Sequence, residues 1–267
     1  MTDPSPRGTL SSQGLRAAAA DLPWRSIEVL AATGSTNADV LLRAAGGAAE
    51  GLVIAADEQT SGRGRLGRSW ASPPGASVSV SVLLRPRLSP QQLGWLPLLT
   101  GLAVAAGVAQ ACGIDAVVKW PNDVLVTTGR PGKIAGILLE RAADAAVVGF
   151  GINTAMTSAE LPVPAASSLV LAGAIAPNPD LLVAACLEQL QLRYAQLVAS
   201  GGDAQRSGLA AEYAARCVTL GTEVSVHLPA GDHIIGRADG VDELGRLLVS
   251  ADGHRHVVAA GDVTHVR

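Results

Sequence analysis

Lysine is almost missing from this chain of 267 residues: of 20 basic side chains, only Lys119 and Lys133 are not arginine. Arginine fills nearly every position where a positive charge is useful, so the two ammonium groups mark places suited to a compact, strongly hydrated cation rather than a planar fork. Cysteine is scarce as well. Cys112, Cys186 and Cys217 are odd in number, far apart, and without CxxC or Cys/His spacing, which argues against a disulfide framework and a zinc site. They read as buried free thiols. The N-terminal stretch MTDPSPRGTLSSQGLRAAAADLPW lacks an apolar core long enough for a secretory signal, so the expected location is the reducing cytoplasm. A formal net charge of -3 and a pI near 5.9 argue against a surface built to coat nucleic acid.

Apolar residues, in contrast, are plentiful: 48% of the chain is hydrophobic and 16% charged, enough to bury a full core. The run from Leu93 to Ile114 carries no charge over a length that could cross a bilayer. Rich in Ala and Gly, holding Pro97 and lacking basic flanks, it fits a core helix, and no membrane partner is expected.

Residues 1–21, rich in Ser, Pro, Gly and Ala without periodicity, read as a mobile tail, too short for a helix-turn-helix domain. From Ile27 the pattern gives a strand (IEVLA), a helix after Ser35 with Leu41, Leu42 and Ala45 inward, and a strand at LVIAA. A Gly- and Arg-rich loop follows. SVSVSVLLR, Ser77 to Arg85, alternates with period two as a half-buried strand, and the long Ala-rich helix comes next. AVVKW, DVLVT, KIAGILLE and AVVGFGIN are short strands spaced for antiparallel pairing. Leu181 to Val198 is an amphipathic helix with Leu182, Cys186, Leu190, Tyr194 and Leu197 near one face, and a shorter helix runs to Arg216. Beyond Cys217, EVSVHL, HIIGRAD, RLLVS, HRHVVA and DVTHV separated by Gly and Asp turns predict a small β-barrel. The expectation is an α+β ligand-binding domain over residues 22–216 and a barrel over 217–267.

Three motifs carry charge. GRGRLGR contains a GxGxxG match at Gly62, Gly64 and Gly67, yet it leads into a strand and has Arg85 near the place of the ribose-binding acid, so a dinucleotide turn is rejected. Three arginines interleaved with glycines make better sense as a flexible cradle for phosphate and carboxylate oxygens; the ordinary alternative is a solvated basic loop. KWPND combines a cation, an aromatic, a proline and two turn residues, and by itself reads equally as a tight turn. GKIAGILLE opens an apolar strand with Lys133, where a snorkelling lysine is the bland reading.

GSTN (Gly34 to Asn37), EQTSGRGRLGRSW, KWPNDVLV, GKIAGILLE and GFGIN (Gly149 to Asn153), in that order, resemble the motif series of biotin protein ligases, and LGTEVSVHL with AGDVTHVR resembles that family's C-terminal barrel. The resemblance runs from about Thr33 to the end. It implies a mixed, largely antiparallel sheet flanked by helices, of the class II aminoacyl-tRNA synthetase and biotin ligase kind, plus an Src-homology-3-like barrel. It also implies an ATP-dependent ligase that makes biotinyl-5'-AMP, then biotinylates a lysine of the biotin carboxyl carrier domain of acyl-CoA carboxylases.

By the same resemblance Ser35, Thr36, Asn37 and Gln59 meet biotin's ureido end, and Gly62, Arg63, Gly64, Gly136 and Gly151 line the rest of its pocket. Arg65 and Lys133 hold biotin's carboxylate against the α-phosphate; Arg68, Trp70, Lys119, Asn122 and Asn153 reach ATP; Asp123 sits by the incoming amine. Lys133, Arg65 and Asp123 are the implied catalytic residues. Mg²⁺ is expected to travel with ATP, with no side-chain ligand assigned. Thr154 to Ser168 has no tryptophan, where some relatives place one against adenine. With no DNA-binding domain ahead of the catalytic part, repressor activity and a DNA partner are not expected. Rival readings are a lipoate ligase and a non-catalytic biotin-responsive binding protein.

Overall fold

In the computed structural model, which describes residues 7–70, 73–228 and 231–266, the apolar strands assemble into one seven-stranded sheet. Its members are β1 (Ser26–Thr33), β2 (Leu52–Gln59), β3 (Ser77–Leu84), β4 (Ala116–Lys119), β5 (Asp123–Val126), β6 (Gly132–Ala142) and β7 (Ala145–Asn153). The order is β1-β2-β3-β7-β6-β5-β4. Only the β1/β2 pair is parallel, joined through helix α2 (Thr36–Ala45); every other neighbour is antiparallel.

Strand alternation sends side chains to two faces. Leu52, Ile54, Leu83, Ala145 and Val147 pack under Val40 and Ala44 of α2. Val53, Ala55, Val78, Val80, Val82, Val148 and Phe150 instead meet α3 (Trp95–Cys112) and α4 (Pro179–Ala199) in the main core. The long uncharged run is therefore a core helix, with Leu96, Leu99, Leu102, Val104 and Val108 fully buried. The α4 face expected from the sequence, Leu182 to Leu197, is buried as well.

Three expectations change. β3 is buried on both sides rather than half-buried, because α2 covers Ser81 and Leu83, with Ser81 donating to Asn37 Oδ1 at 2.6 Å. In α2 the inward residues are Thr36, Asn37, Val40 and Ala44; Leu42 is 73% exposed and Ala45 is also outside, so the buried stripe is set by the polar first turn. Residues 7–21 are not a loose tail. Ser12–Ala18 form helix α1, capped by Ser11, with Leu15 fully buried. Leu10 N–H donates to Asp57 at 2.9 Å, Ser11 N–H to Asp180 at 2.9 Å, and Arg7 pairs with Glu160 at 2.5 Å. Burying Leu10, Leu15 and Ala19 on the core offsets the ordering entropy that composition alone left uncompensated. The part of the expected tail over residues 1–6 lies outside the described residues.

After the short helix α5 (Leu209–Arg216), β8 (Glu223–His227), β9 (His233–Val241), β10 (Leu247–Ala251), β11 (His254–Val258) and β12 (Asp262–His265) form an antiparallel sheet in the order β11-β10-β9-β8-β12. This module is bound to the larger part by main-chain and indole hydrogen bonds. Val218 N–H donates to Val118 at 2.9 Å, Trp120 N–H to Thr219 Oγ1 at 3.0 Å, Trp95 Nε1 to Glu243 O at 3.0 Å and Trp120 Nε1 to Gly245 O at 3.1 Å. One buried cluster, including Val224, Val226, Leu247 and Val249, runs through both parts.

Candidate active site

The antiparallel registers set one row of residues across the sheet: Ser79 opposite Gly151, Gly151 opposite Gly136, Gly136 opposite Asp123, and Asp123 opposite Lys119. All five line a cavity of about 430 Å³. Glycine is required in that row by close approach. A Cβ on Gly151 would lie 2.5 Å from Trp70 Nε1, and one on Gly136 would lie 3.0 Å from Trp70 Cζ3. One on Gly149 would meet Asn37 Oδ1 at 2.2 Å. The glycine floor thus carries the Trp70 indole and admits the end of α2. Trp70 Nε1–H is buried without a hydrogen-bond partner among the described residues.

One end of the cavity is polar. Ser35 is the N-cap of α2, and Thr36 and Asn37 are its first residues, all three buried. Gln59 Oε1 accepts from Thr36 N–H at 2.9 Å and from Thr36 Oγ1 at 3.1 Å. Asn37 Nδ2 donates to Glu140 Oε2 at 2.8 Å, and Arg63 pairs with Glu140 at 3.2 Å. Hydroxyl and amide groups gathered at one end of a concave site are suited to fixing a polar ligand group by directed hydrogen bonds.

The other side is cationic. The loop over residues 62–70 doubles back on itself: Trp70 N–H donates to Gly62 O at 2.8 Å and Gly64 N–H to Arg68 O at 2.6 Å. Its three arginines each reach a different element. Arg63 meets β6, Arg65 Nη1 lies 3.3 Å from Asn122 Oδ1 in the β4/β5 turn, and Arg68 pairs with Asp262 on β12. Lys133 Nζ, displaced toward the row by a bulge between Val124 and Leu125, pairs with Asp123 Oδ1 at 2.6 Å and stands 5.6 Å from the Trp70 ring centre. Lys119 has no ion-pair partner among the described residues. Burial lowers the pKa of Lys119, with Asp123 opposing and Lys133 adding to the fall. Burial likewise lowers Arg65, against the pull of Asp123. A site that half-buries unneutralised cations is prepared for an anion.

Of the residues singled out in the sequence, Ser35, Thr36, Asn37, Gln59, Arg63, Gly64, Arg65, Arg68, Trp70, Lys119, Asn122, Asp123, Lys133, Gly136 and Gly151 line this one cavity. Two do not. Gly62 packs behind it, where a Cβ would meet Trp70 O at 2.5 Å and Gln59 Nε2 at 2.8 Å. Asn153 is buried with Nδ2 donating to Ser167 O at 2.9 Å, so it fastens the end of β7 and does not face the cavity. No residue from 154 to 168 lines it either. Sequence reasoning missed Glu140, which holds Asn37 and Arg63 beside the cavity, and the wall made by His227, Asp262, Val263 and Thr264 of the C-terminal module. One end of the cavity offers hydroxyl and amide groups, and the other gathers guanidinium and ammonium groups suited to anionic oxygens.

Residues 31–153 match the biotin/lipoate A/B protein ligase family, and residues 219–266 match the biotin protein ligase C-terminal domain. The chain is 43% identical to a biotin–[acetyl-CoA-carboxylase] ligase of Mycobacterium tuberculosis, covering 91% of this chain and 90% of that one. It is 33% identical to the enzyme of the same name from Paracoccus denitrificans, over 88% and 98% of the two chains. Among solved structures, the biotin protein ligase of Aquifex aeolicus in complex with biotin and ATP superposes with a TM-score of 0.74 at 26% identity, over 91% of this chain and 99% of that one.

Proposed function

Because the chain belongs to the biotin protein ligase family, we propose that this cavity activates biotin as biotinyl-5'-AMP and passes the biotinyl group to a lysine of a biotin carboxyl carrier domain. The observation that carries the assignment of roles is the convergence of Arg65, Arg68, Lys119 and Lys133 on one cavity whose far end is the polar first turn of α2. A match to the biotin ligase C-terminal domain favours biotin over lipoate.

Two anions must meet in the first step, and cations lower the barrier by neutralising both without reacting. A carboxylate oxygen of biotin attacks the α-phosphorus, forming a C(O)–O–P bond as the bond to the β-phosphate breaks and pyrophosphate leaves. In our reading Lys133 exchanges Asp123 for the biotin carboxylate, Arg65 bridges carboxylate and α-phosphate, and Lys119 and Arg68 hold the departing phosphates. Displaced from Lys133, Asp123 is free to take the proton of the acceptor amine as its nitrogen attacks the acyl carbon and AMP departs. The protein needs no nucleophile of its own.

Among the described residues, no group of three His, Cys, Asp or Glu side chains is placed to hold a metal, and Asp123 and Asp262 are engaged by Lys133 and Arg68. In this reading Mg²⁺ would arrive with ATP and would shield phosphate charge there. Three free cysteines fit the reducing cytoplasm in which we place the reaction.

The test is ATP/pyrophosphate exchange with biotin, with lipoate and with neither. Exchange should require biotin; equal rates in all three would remove the assignment.

A further inference from the structure

Arg63 and Arg65 are met by groups of the same sheet that carries the cavity, but Arg68 is met by Asp262, at the start of the last strand. The position of Asp262 is well determined by its surroundings. β12 pairs with β8 in a register that sets Asp262 opposite His227, and the preceding Gly261 sits where a Cβ would lie 2.9 Å from His227 O. β8 follows directly on the segment whose Val218 and Thr219 are hydrogen-bonded to Val118 and Trp120, the residues flanking Lys119. Asp262 is therefore fixed in the same frame as Lys119, and a loop residue held by it is held relative to the phosphate end of the cavity.

We propose that Asp262 is a positioning residue for adenylation: through Arg68 it fastens the 62–70 loop to the C-terminal module and presents that guanidinium to the departing pyrophosphate. This rests on the adenylation reading above. A guanidinium has five N–H donors, so Arg68 can keep one edge on Asp262 while another meets phosphate. With two of the loop's arginines tied to the sheet and the third to the module, closing the loop costs less ordering entropy when substrate arrives. The module is thereby part of the reaction although it contributes no group to the bonds that change.

Asp262→Asn, Asp262→Glu, Arg68→Ala and Arg68→Ala/Asp262→Asn in the full chain test this. Side chains 61% and 34% exposed make the pair a partly screened one, so the effects expected are threefold to tenfold, by order of magnitude. In the ligand-free protein, Asp262→Asn should speed tryptic cleavage after Arg63 and Arg65 about threefold to tenfold with an unchanged melting temperature. Raising salt should do the same to the wild type and less to the variant, in which only the Arg63–Glu140 pair of the loop is left to screen. In exchange assays the KM for ATP should rise by a similar factor while the KM for biotin holds, Asp262→Glu should restore most of the loss, and Asp262→Asn should add nothing to Arg68→Ala. A lowered KM for ATP would make Asp262 a competitor for Arg68 and overturn the proposal; so would a further rise in the Arg68→Ala background, or unchanged proteolysis. Because proteolysis is read without substrates, a failure of the parent reading, seen as biotin-independent exchange in the wild type, is distinguishable from a failure of this one.

Discussion

Replacing Gly151 with alanine adds one methyl group to the cavity floor at a backbone position outside the left-handed region, so side-chain size alone is tested. The new Cβ would stand 2.5 Å from Trp70 Cε2 and Nε1 and 2.8 Å from Cζ2. Carbon atoms rest about 3.5–4.0 Å apart, so the indole has to retreat by roughly 1 Å. Overpacking of this kind costs about 1–3 kcal/mol. Since Lys133 stands 5.6 Å from the same ring and Trp70 ends the arginine loop, the displaced ring carries the loop with it. If the cost falls on the biotin complex, the KM for biotin in pyrophosphate exchange should rise about 5- to 100-fold, at about 1.4 kcal/mol per tenfold. Trp70 emission should shift and the melting temperature should change little. A variant with wild-type KM for biotin and unmoved emission would show that the indole does not rest on the glycine floor.

Three further outcomes follow from particular contacts. Lys133→Arg should lose at least about tenfold in biotin-dependent exchange, because the ammonium is confined between Asp123 at 2.6 Å and the Gly136 backbone, where a broad guanidinium does not fit; wild-type turnover would end the argument. Burial lowers the Lys119 pKa, and a phosphate binds the protonated form, so ATP affinity is highest below that pKa and falls as pH rises through it. Lys119→Arg should move the alkaline fall in ATP affinity to higher pH, and an unshifted titration curve would exclude Lys119 as the group concerned. Leu15→Ala should destabilise the protein by about 2–4 kcal/mol, read by urea unfolding, since Leu15 is fully buried; a change below about 0.5 kcal/mol would mean that α1 does not rest on the core.

Much of the cavity wall was legible because its residues are local in sequence: the N-cap at Ser35, the Gly/Arg loop and the two lysines each fall within a few positions of one another or of a recognisable motif. What stayed hidden depends on distant partners. α1 has a composition typical of a tail, and it folds only because Leu10 and Leu15 find the core beside Asp57 and Asp180. Ser81 of β3 looks solvent-facing until α2 is laid across it. Asn153 carries the right chemistry for a ligand contact but spends its amide on Ser167. Asp262 and His227 lie in a strand pattern without motif value, and only the docking of the C-terminal module brings them to the cavity.

The file of residues from Ser79 through Gly151, Gly136 and Asp123 to Lys119 runs at right angles to the chain. It grades from a hydroxyl, across two positions with no side chain, to a carboxylate and an ammonium. No stretch of sequence contains that gradient; it exists only as an alignment of five neighbouring strands. Sliding any one of them by a single residue would turn its member of the file to the opposite face. Deletions or insertions within β5, β6 or β7 therefore threaten chemistry more than many point changes do.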